Sequence, residues 1–169
     1  MSACFLLCDL ETGGLDPEVH PILEFAGILI RPPGINIQSQ LHVLIYHEGE
    51  ISPEAREMHE ASGLLRELEE GATSSLPTAQ KRIMGWIDDN VSPDDDLFLM
   101  GSSIHFDRSF IKKHMPEFDA RLHYRMLDVR SLWLWRWLVT GHNPDEIRHR
   151  AMDDCHRTLE FAMALGRVL

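Results

Sequence analysis

Two largely apolar runs open the chain, CFLLCDL at residues 4–10 and ILEFAGILIR at 22–31, and the turn-rich segment GGLDPEVHP lies between them. Runs of this length bounded by turn formers predict strands and an antiparallel meander. The turn Pro32-Pro-Gly-Ile-Asn then leads to a third expected strand, Leu41–Tyr46. From Ser52-Pro53-Glu54 the spacing becomes helical: a hydroxyl cap with proline in the first turn, then Leu64, Leu65 and Leu68 on one stripe. Ile83, Trp86 and Ile87 share a face of a helix over 76–90, and Ser92-Pro-Asp-Asp-Asp ends it. Leu97–Met100 predicts a buried strand, 106–114 a helix, 126–129 a brief strand, 131–138 a helix, and 151–168 a long terminal amphipathic helix. Antiparallel strands followed by alternating helices and strands predict an α/β fold with a mixed sheet of about five strands flanked by helices.

The length of 169 residues corresponds to about one domain, expected to span 1–169. A hydrophobic content of 44% and a charged content of 25% are those of an ordinary globular chain. Cys4, Cys8 and Cys155 cannot all pair, and no secretory signal precedes them, so a cytoplasmic, reducing setting is expected. The longest apolar stretch, Phe25–Ile30, is far below the roughly 20 residues that span a bilayer, so no membrane role is expected. The formal net charge is −11 and unevenly spread. Residues 1–100 carry five Lys and Arg against eighteen Asp and Glu, whereas residues 101–169 carry eleven against nine. This balance argues against an extended basic groove for long nucleic acid, and an anionic ligand is expected to meet the second part or reach the first through metal ions.

The first strand ends in Asp9-Leu10-Glu11. Positions i and i+2 of a strand share a face, so both carboxylates leave the sheet together while Leu10 turns into the core. Like charges so placed repel unless protons or cations intervene. Asp107 follows a second strand near the start of a helix, where it either satisfies helical N–H groups or joins the sheet-edge acids. Farther on stands His149-Arg-Ala-Met-Asp153-Asp154. On a continuous helix His149 faces Asp153, about 40° away, with Asp154 about 140° away. With His149 on a loop before the helix, Asp154 can reach the same site. The glycines of Thr12-Gly13-Gly14 suggest a backbone that a substrate approaches closely.

FLLCDLETGGLDPEVHPILEFA, MHEASGLL, GSSIHFDRSFIKKHMPEFDARLHYRMLDV and HRAMDDCHRTLE resemble, in order, the blocks of the oligoribonuclease family. That family belongs to the DEDDh group of 3′–5′ exonucleases, with a ribonuclease H-like fold. Its pattern is D-x-E, a central Asp, then His with Asp five residues on, and Asp9, Glu11, Asp107, His149 and Asp154 fill every position. The resemblance implies Asp154 rather than Asp153 as the ligand. It also implies two Mg²⁺ or Mn²⁺ ions, one held by Asp9, Glu11 and Asp154 and the second bridged by Asp9, with Asp107 acting through bound water. Carboxylates suit such hard cations, and Cys4 and Cys8 are expected to be core residues. His149 is the implied general base.

The same resemblance implies short single-stranded RNA, with DNA also open, as substrate of a homodimer that releases 5′-mononucleotides. Leu15 would wedge between terminal bases, Ser103 and Arg125 would cap the 5′ phosphate, His59 would stand near the substrate, and Tyr124 would reach in from the second subunit. The chain departs from the family pattern at Glu54, Arg130 and Thr12-Gly13. Trp133, Trp135 and Trp137 are read as core or dimer packing rather than base stacking. His20, His42, His47, His114, His142 and His156 show no partner pattern in the sequence and are expected at the surface. The alternatives are a DEDDh exonuclease trimming longer DNA or RNA, and a non-enzymatic nucleic-acid- or protein-binding module.

Overall fold

The protein was analysed as a computed structural model that describes residues 2–71, 73–141 and 150–166. Three long strands come first: β1 (Ala3–Thr12), β2 (Ile22–Arg31) and β3 (Asn36–Leu44). Helices α1 (Pro53–Ser62), α2 (Leu64–Glu70) and α3 (Leu76–Asn90) follow, then β4 (Asp96–Gly101), α4 (His105–His114), α5 (Pro116–Arg121), β5 (Met126–Asp128), α6 (Val129–Thr140) and α7 (Ala151–Gly166). The sheet order is β3-β2-β1-β4-β5, with β1–β2 and β2–β3 antiparallel and β1–β4 and β4–β5 parallel. The mixed five-stranded sheet expected from the pattern is therefore present, with its first three strands antiparallel.

The period-two alternation of β1 divides its residues between two layers. Cys4, Leu6, Cys8 and Leu10 pack with Phe25, Leu29, Ile83, Ile87, Phe110 and Phe118 on the face covered by α3, α4 and α5. Leu7 packs with Ala26, Ile28, Ala151, Cys155 and Leu159 on the face covered by α7. Asp9 and Glu11 share the parity of Leu7, so the strand directs both toward α7. Burying each large apolar side chain contributes about 1.5–3 kcal/mol. The two faces thus hold α4 and α7 firmly on opposite sides of one strand end.

Three expectations change. The third strand begins at Asn36, not Leu41, because NIQSQ pairs with β2 as an edge strand whose outer residues face water and carry no apolar alternation. Pro116–Arg121 forms a further helix too short for apolar periodicity to predict, with Pro116 in its first turn and Phe118 buried. Trp135 and Trp137 are 64% and 44% exposed, so core packing does not account for them; Trp133 meets Trp137 edge-on with ring centroids 6.0 Å apart. Among the described residues, no helix is long and apolar enough to cross a membrane.

Candidate active site

Asp9, Glu11 and Asp154 each offer a carboxylate oxygen, and these oxygens all lie within 4.8 Å of one another. Two come from the end of β1 and the third from the first turn of α7, where the Asp154 N–H donates to the Arg150 carbonyl at 2.9 Å. Asp153, one position earlier, is exposed and does not belong to the group, so of the Asp-Asp pair it is Asp154 that the fold brings to Asp9 and Glu11. Three anions at such spacing repel by about 3 kcal/mol per pair at an effective dielectric near 20. Burial first, then Asp107, Glu11 and Asp154, push the Asp9 carboxyl well above the usual carboxylate range. Burial, followed by Glu24 and Asp154, pushes Glu11 up to about 8. A divalent cation with oxygen preference fits this set, since it would replace the protons that the crowding otherwise retains.

Asp107 reaches the same strand end from the opposite layer. It is 4% exposed on the first turn of α4, and its Oδ1 accepts the Leu10 N–H at 2.9 Å. Burial pushes its carboxyl up to about 7 against the lowering effect of that hydrogen bond. It stands outside the triplet. His149 lies outside the described residues, as does His142.

At Gly13 and Gly14 the loop after β1 packs closely against its neighbours. A Cβ on Gly13 would come within 2.7 Å of Pro21 Cδ and 2.8 Å of the Glu50 carbonyl, and one on Gly14 would meet the His20 ring at 2.6 Å. Those glycines are required by the protein's own close contacts. Gly13 also donates to the Pro21 carbonyl and accepts from Ser52, tying the loop to the start of α1. Leu15, at the tip, is 84% exposed.

His59 is fully buried, and its Nε2 donates to the Thr12 carbonyl at 2.8 Å while Nδ1 faces Glu11 Oε2 at 3.8 Å. The structure therefore places it beneath Glu11, beside the carboxylate group. Its helix ends at Gly63, whose φ of 81° is the left-handed cap that turns α1 into α2.

Ser103, Tyr124 and Arg125 lie around the β4 and β5 ends. Ser103 has φ of 55°, an uncommon conformation for a non-glycine residue, held as its N–H donates to Asp128 Oδ1 at 3.0 Å. The same oxygen accepts the Arg130 N–H at the start of α6. Tyr124 is 70% exposed, and the Arg125 guanidinium lies 5.1 Å from its ring centroid. Arg108, next to Asp107, donates to the His123 and Tyr124 carbonyls at 2.9 and 3.2 Å and so fixes that loop relative to α4.

Residues that sequence reasoning missed surround Glu24. This carboxylate is 1% exposed and bonded to His42, Arg150 and the Ala151 N–H. Burial pushes it up, but those three hydrogen bonds outweigh burial and bring it to about 2. The signal was legible: a lone acid inside the apolar run ILEFAGILI must find buried partners. His42, for which the sequence shows no partner pattern, is one of them, with Nε2 at 2.6 Å from Glu24.

Comparison with known proteins follows the same lines. A family model described as Exonuclease, RNase_T, matches residues 6–162. An oligoribonuclease of Corynebacterium diphtheriae is 37% identical over 156 residues, covering 86% of this chain and 73% of the relative. One from Vibrio parahaemolyticus is 33% identical over 163 residues, covering 89% and 87%. Among solved structures, E. coli exonuclease I in complex with a 5cy-dT13 oligonucleotide superposes with a TM-score of 0.75 at 15% identity, over 99% of this chain and 41% of that one. The nuclease domain of 3′hExo, a DEDDh family member bound to rAMP, superposes with a TM-score of 0.66 at 14% identity, over 98% and 92%. At these identities the structural likeness establishes the fold, and the sequence matches carry the kinship.

Proposed function

The chain belongs to the exonuclease family, as a 3′–5′ exonuclease related to the oligoribonucleases, and from that premise we propose that it hydrolyses short single-stranded RNA to 5′-mononucleotides. The observation that carries the reading is the approach of Asp9, Glu11 and Asp154 to within 4.8 Å, at the end of a strand and the start of a helix. Asp9, Glu11 and Asp154 would hold one ion, Asp9 would share a second, and Asp107 would act through water. When bound there, Mg²⁺ or Mn²⁺ would supply positive charge for an in-line displacement at phosphorus. His149 takes the proton of the attacking water, a task suited to an imidazole whose unperturbed pKa is about 6.5.

Around that centre, Leu15 packs against the terminal bases from its exposed loop tip, and Ser103 and Arg125 receive the 5′ phosphate. His59 braces Glu11 and Thr12 from below. A second copy of the chain supplies Tyr124. The support for a homodimer is the apolar exposure of α6, where Trp135, Leu138 and Val139 are 64%, 78% and 64% exposed. The predominance of acid in the first hundred residues suits a ligand with few phosphates. Three buried free cysteines accord with a cytoplasmic, reducing setting and with a single-domain core that needs no covalent staple.

A length series tests the reading: matched RNA and DNA oligomers of two to about twenty nucleotides, end-labelled, with Mg²⁺ or Mn²⁺. Turnover highest on the shortest RNA, with 5′-mononucleotide products, is expected. Faster cleavage of the longest DNA would replace it with a trimming exonuclease, and no cleavage at any length would leave a binding module.

A further inference from the structure

Arg150 immediately precedes α7, and its guanidinium spans two other elements. One edge makes a fork with Glu67 of α2, Nη1 to Oε1 at 3.0 Å and Nη2 to Oε2 at 2.9 Å. Nη2 also donates to Glu24 Oε1 of β2 at 3.0 Å. The other Glu24 oxygen accepts the N–H of Ala151, the first residue of α7, at 3.1 Å. Glu24 thus holds the start of α7 twice, through a side chain and through the backbone. His42 of β3 completes the shell.

A buried ion pair is weak evidence for stability, since desolvation offsets much of its Coulomb attraction. Its value lies in orientation: a planar guanidinium with fork geometry accepts few arrangements, and an ammonium cannot reproduce it. What it orients is specific here. The Arg150 carbonyl accepts the Asp154 N–H, so Arg150 and Asp154 lie one helical turn apart. Glu24 is also the Cα partner of Glu11 across the β1–β2 ladder. A single carboxylate therefore touches the strand pair that carries Glu11 and the helix start that carries Asp154.

We infer that Arg150 is a positioning residue: through the Glu67–Arg150–Glu24 bridge it sets Asp154 at its spacing from Asp9 and Glu11, and so tunes the affinity of that triplet for divalent cations. The inference rests on the proposed metal-dependent reading of the site. It makes α2 part of the metal site's support although no residue of α2 belongs to the triplet.

The test compares wild type with Arg150→Lys, Glu67→Gln and Arg31→Gln. Arg31 pairs with Asp95 at 3.0 Å on a different part of the molecule and controls for the loss of an ion pair as such. Two quantities are read: the Mn²⁺-induced rise in melting temperature, and the Mn²⁺ concentration giving half-maximal turnover of a diribonucleotide. Arg150→Lys and Glu67→Gln are expected to raise the Mn²⁺ requirement about 10–100-fold, with KM for the dinucleotide within about twofold and turnover recovered at high Mn²⁺. Arg31→Gln is expected to retain the wild-type Mn²⁺ response. An unchanged Mn²⁺ response in both bridge variants, or an equal loss in Arg31→Gln, would overturn the inference. Glu67 is 44% exposed, so Glu67→Gln keeps the test alive if Arg150→Lys misfolds. A wild type that binds Mn²⁺ without cleaving RNA sinks the proposed substrate while the melting readout still decides the bridge; a wild type that does not bind Mn²⁺ ends both.

Discussion

The carboxylates of Asp9, in the first strand, and Asp154, in the last helix, approach within 4.8 Å. Nothing local places them there. The meeting is produced by Leu7 and Ala26 packing against Ala151, Cys155 and Leu159, which seats α7 across the face that Asp9 and Glu11 share. Substituting either acid should therefore separate chemistry from folding. Asp154→Asn is expected to lower turnover by about 10³-fold, the equivalent of the several kcal/mol a metal supplies to a transition state. At pH 8 without metal, the same variant is expected to be more stable than wild type by roughly 1–2 kcal/mol, because its repulsions with Asp9 and Glu11 are gone and protons held by those two acids already relieve part of them. Steady-state kinetics and metal-free thermal melts check the two halves.

Stability without metal should fall as the pH rises through neutrality. Glu11 is held near 8 and Asp107 near 7, burial being the main cause in both, whereas in the unfolded chain each releases its proton near 4. Between about pH 4 and 8 the folded protein therefore binds more protons than the unfolded one, and it loses stability with increasing pH. Glu24 acts in the other direction: held near 2, it contributes stability that is present above about pH 4.5 and lost as the pH falls toward 2. A melting series without metal is expected to peak in mild acid and decline toward pH 8, with Mn²⁺ reversing the decline. A melting temperature that climbs from pH 5 to 8 without metal contradicts this.

Leu15 offers the reverse of a core position. Its side chain is 84% exposed, so Leu15→Ala should change stability by no more than about 0.5 kcal/mol. With the proposed contact to the terminal bases removed, KM for a diribonucleotide is expected to rise several-fold with little change in kcat. Thermal melts and a substrate titration measure both.

Much of this was legible beforehand, and the exceptions have physical causes. Strands β1, β2 and β4 are buried on both faces, so their apolar runs stand out. The first half of β3 is polar because one side of an edge strand meets water. Of the site, D-x-E at 9–11 and Asp107 stood at strand and helix ends. The choice between Asp153 and Asp154 depended on where α7 begins and how it is turned, which spacing alone does not encode. Glu24 and Arg150 escaped because their partners come from three other elements, and only the packed sheet brings those together. The burial of His59 was equally invisible: its role follows from a hydrogen bond to the Thr12 carbonyl across the fold.

His59→Ala removes that hydrogen bond and leaves a cavity beneath Glu11. The expected cost is about 2–4 kcal/mol of stability, together with lower turnover as the Thr12 loop loosens. Denaturant melts alongside the nuclease assay test this. A variant as stable and as active as wild type contradicts the bracing role.

The exposed face of α6 predicts assembly. Trp135→Glu combined with Leu138→Glu should leave the fold intact, because both side chains lie on the surface, and should convert a dimer to monomers in sedimentation equilibrium. If Tyr124 acts across the interface, activity falls with the dimer. A wild type that sediments as a monomer at assay concentration contradicts both statements.

The claim on which the rest depends is that Asp9, Glu11 and Asp154 form a seat for divalent cations. Calorimetric titration of the metal-free protein with Mn²⁺ at pH 8, wild type beside Asp154→Asn, tests it most directly. Saturable binding in wild type that is lost or greatly weakened in Asp154→Asn is the predicted result. Equal binding by the two proteins, or none by wild type, would contradict it.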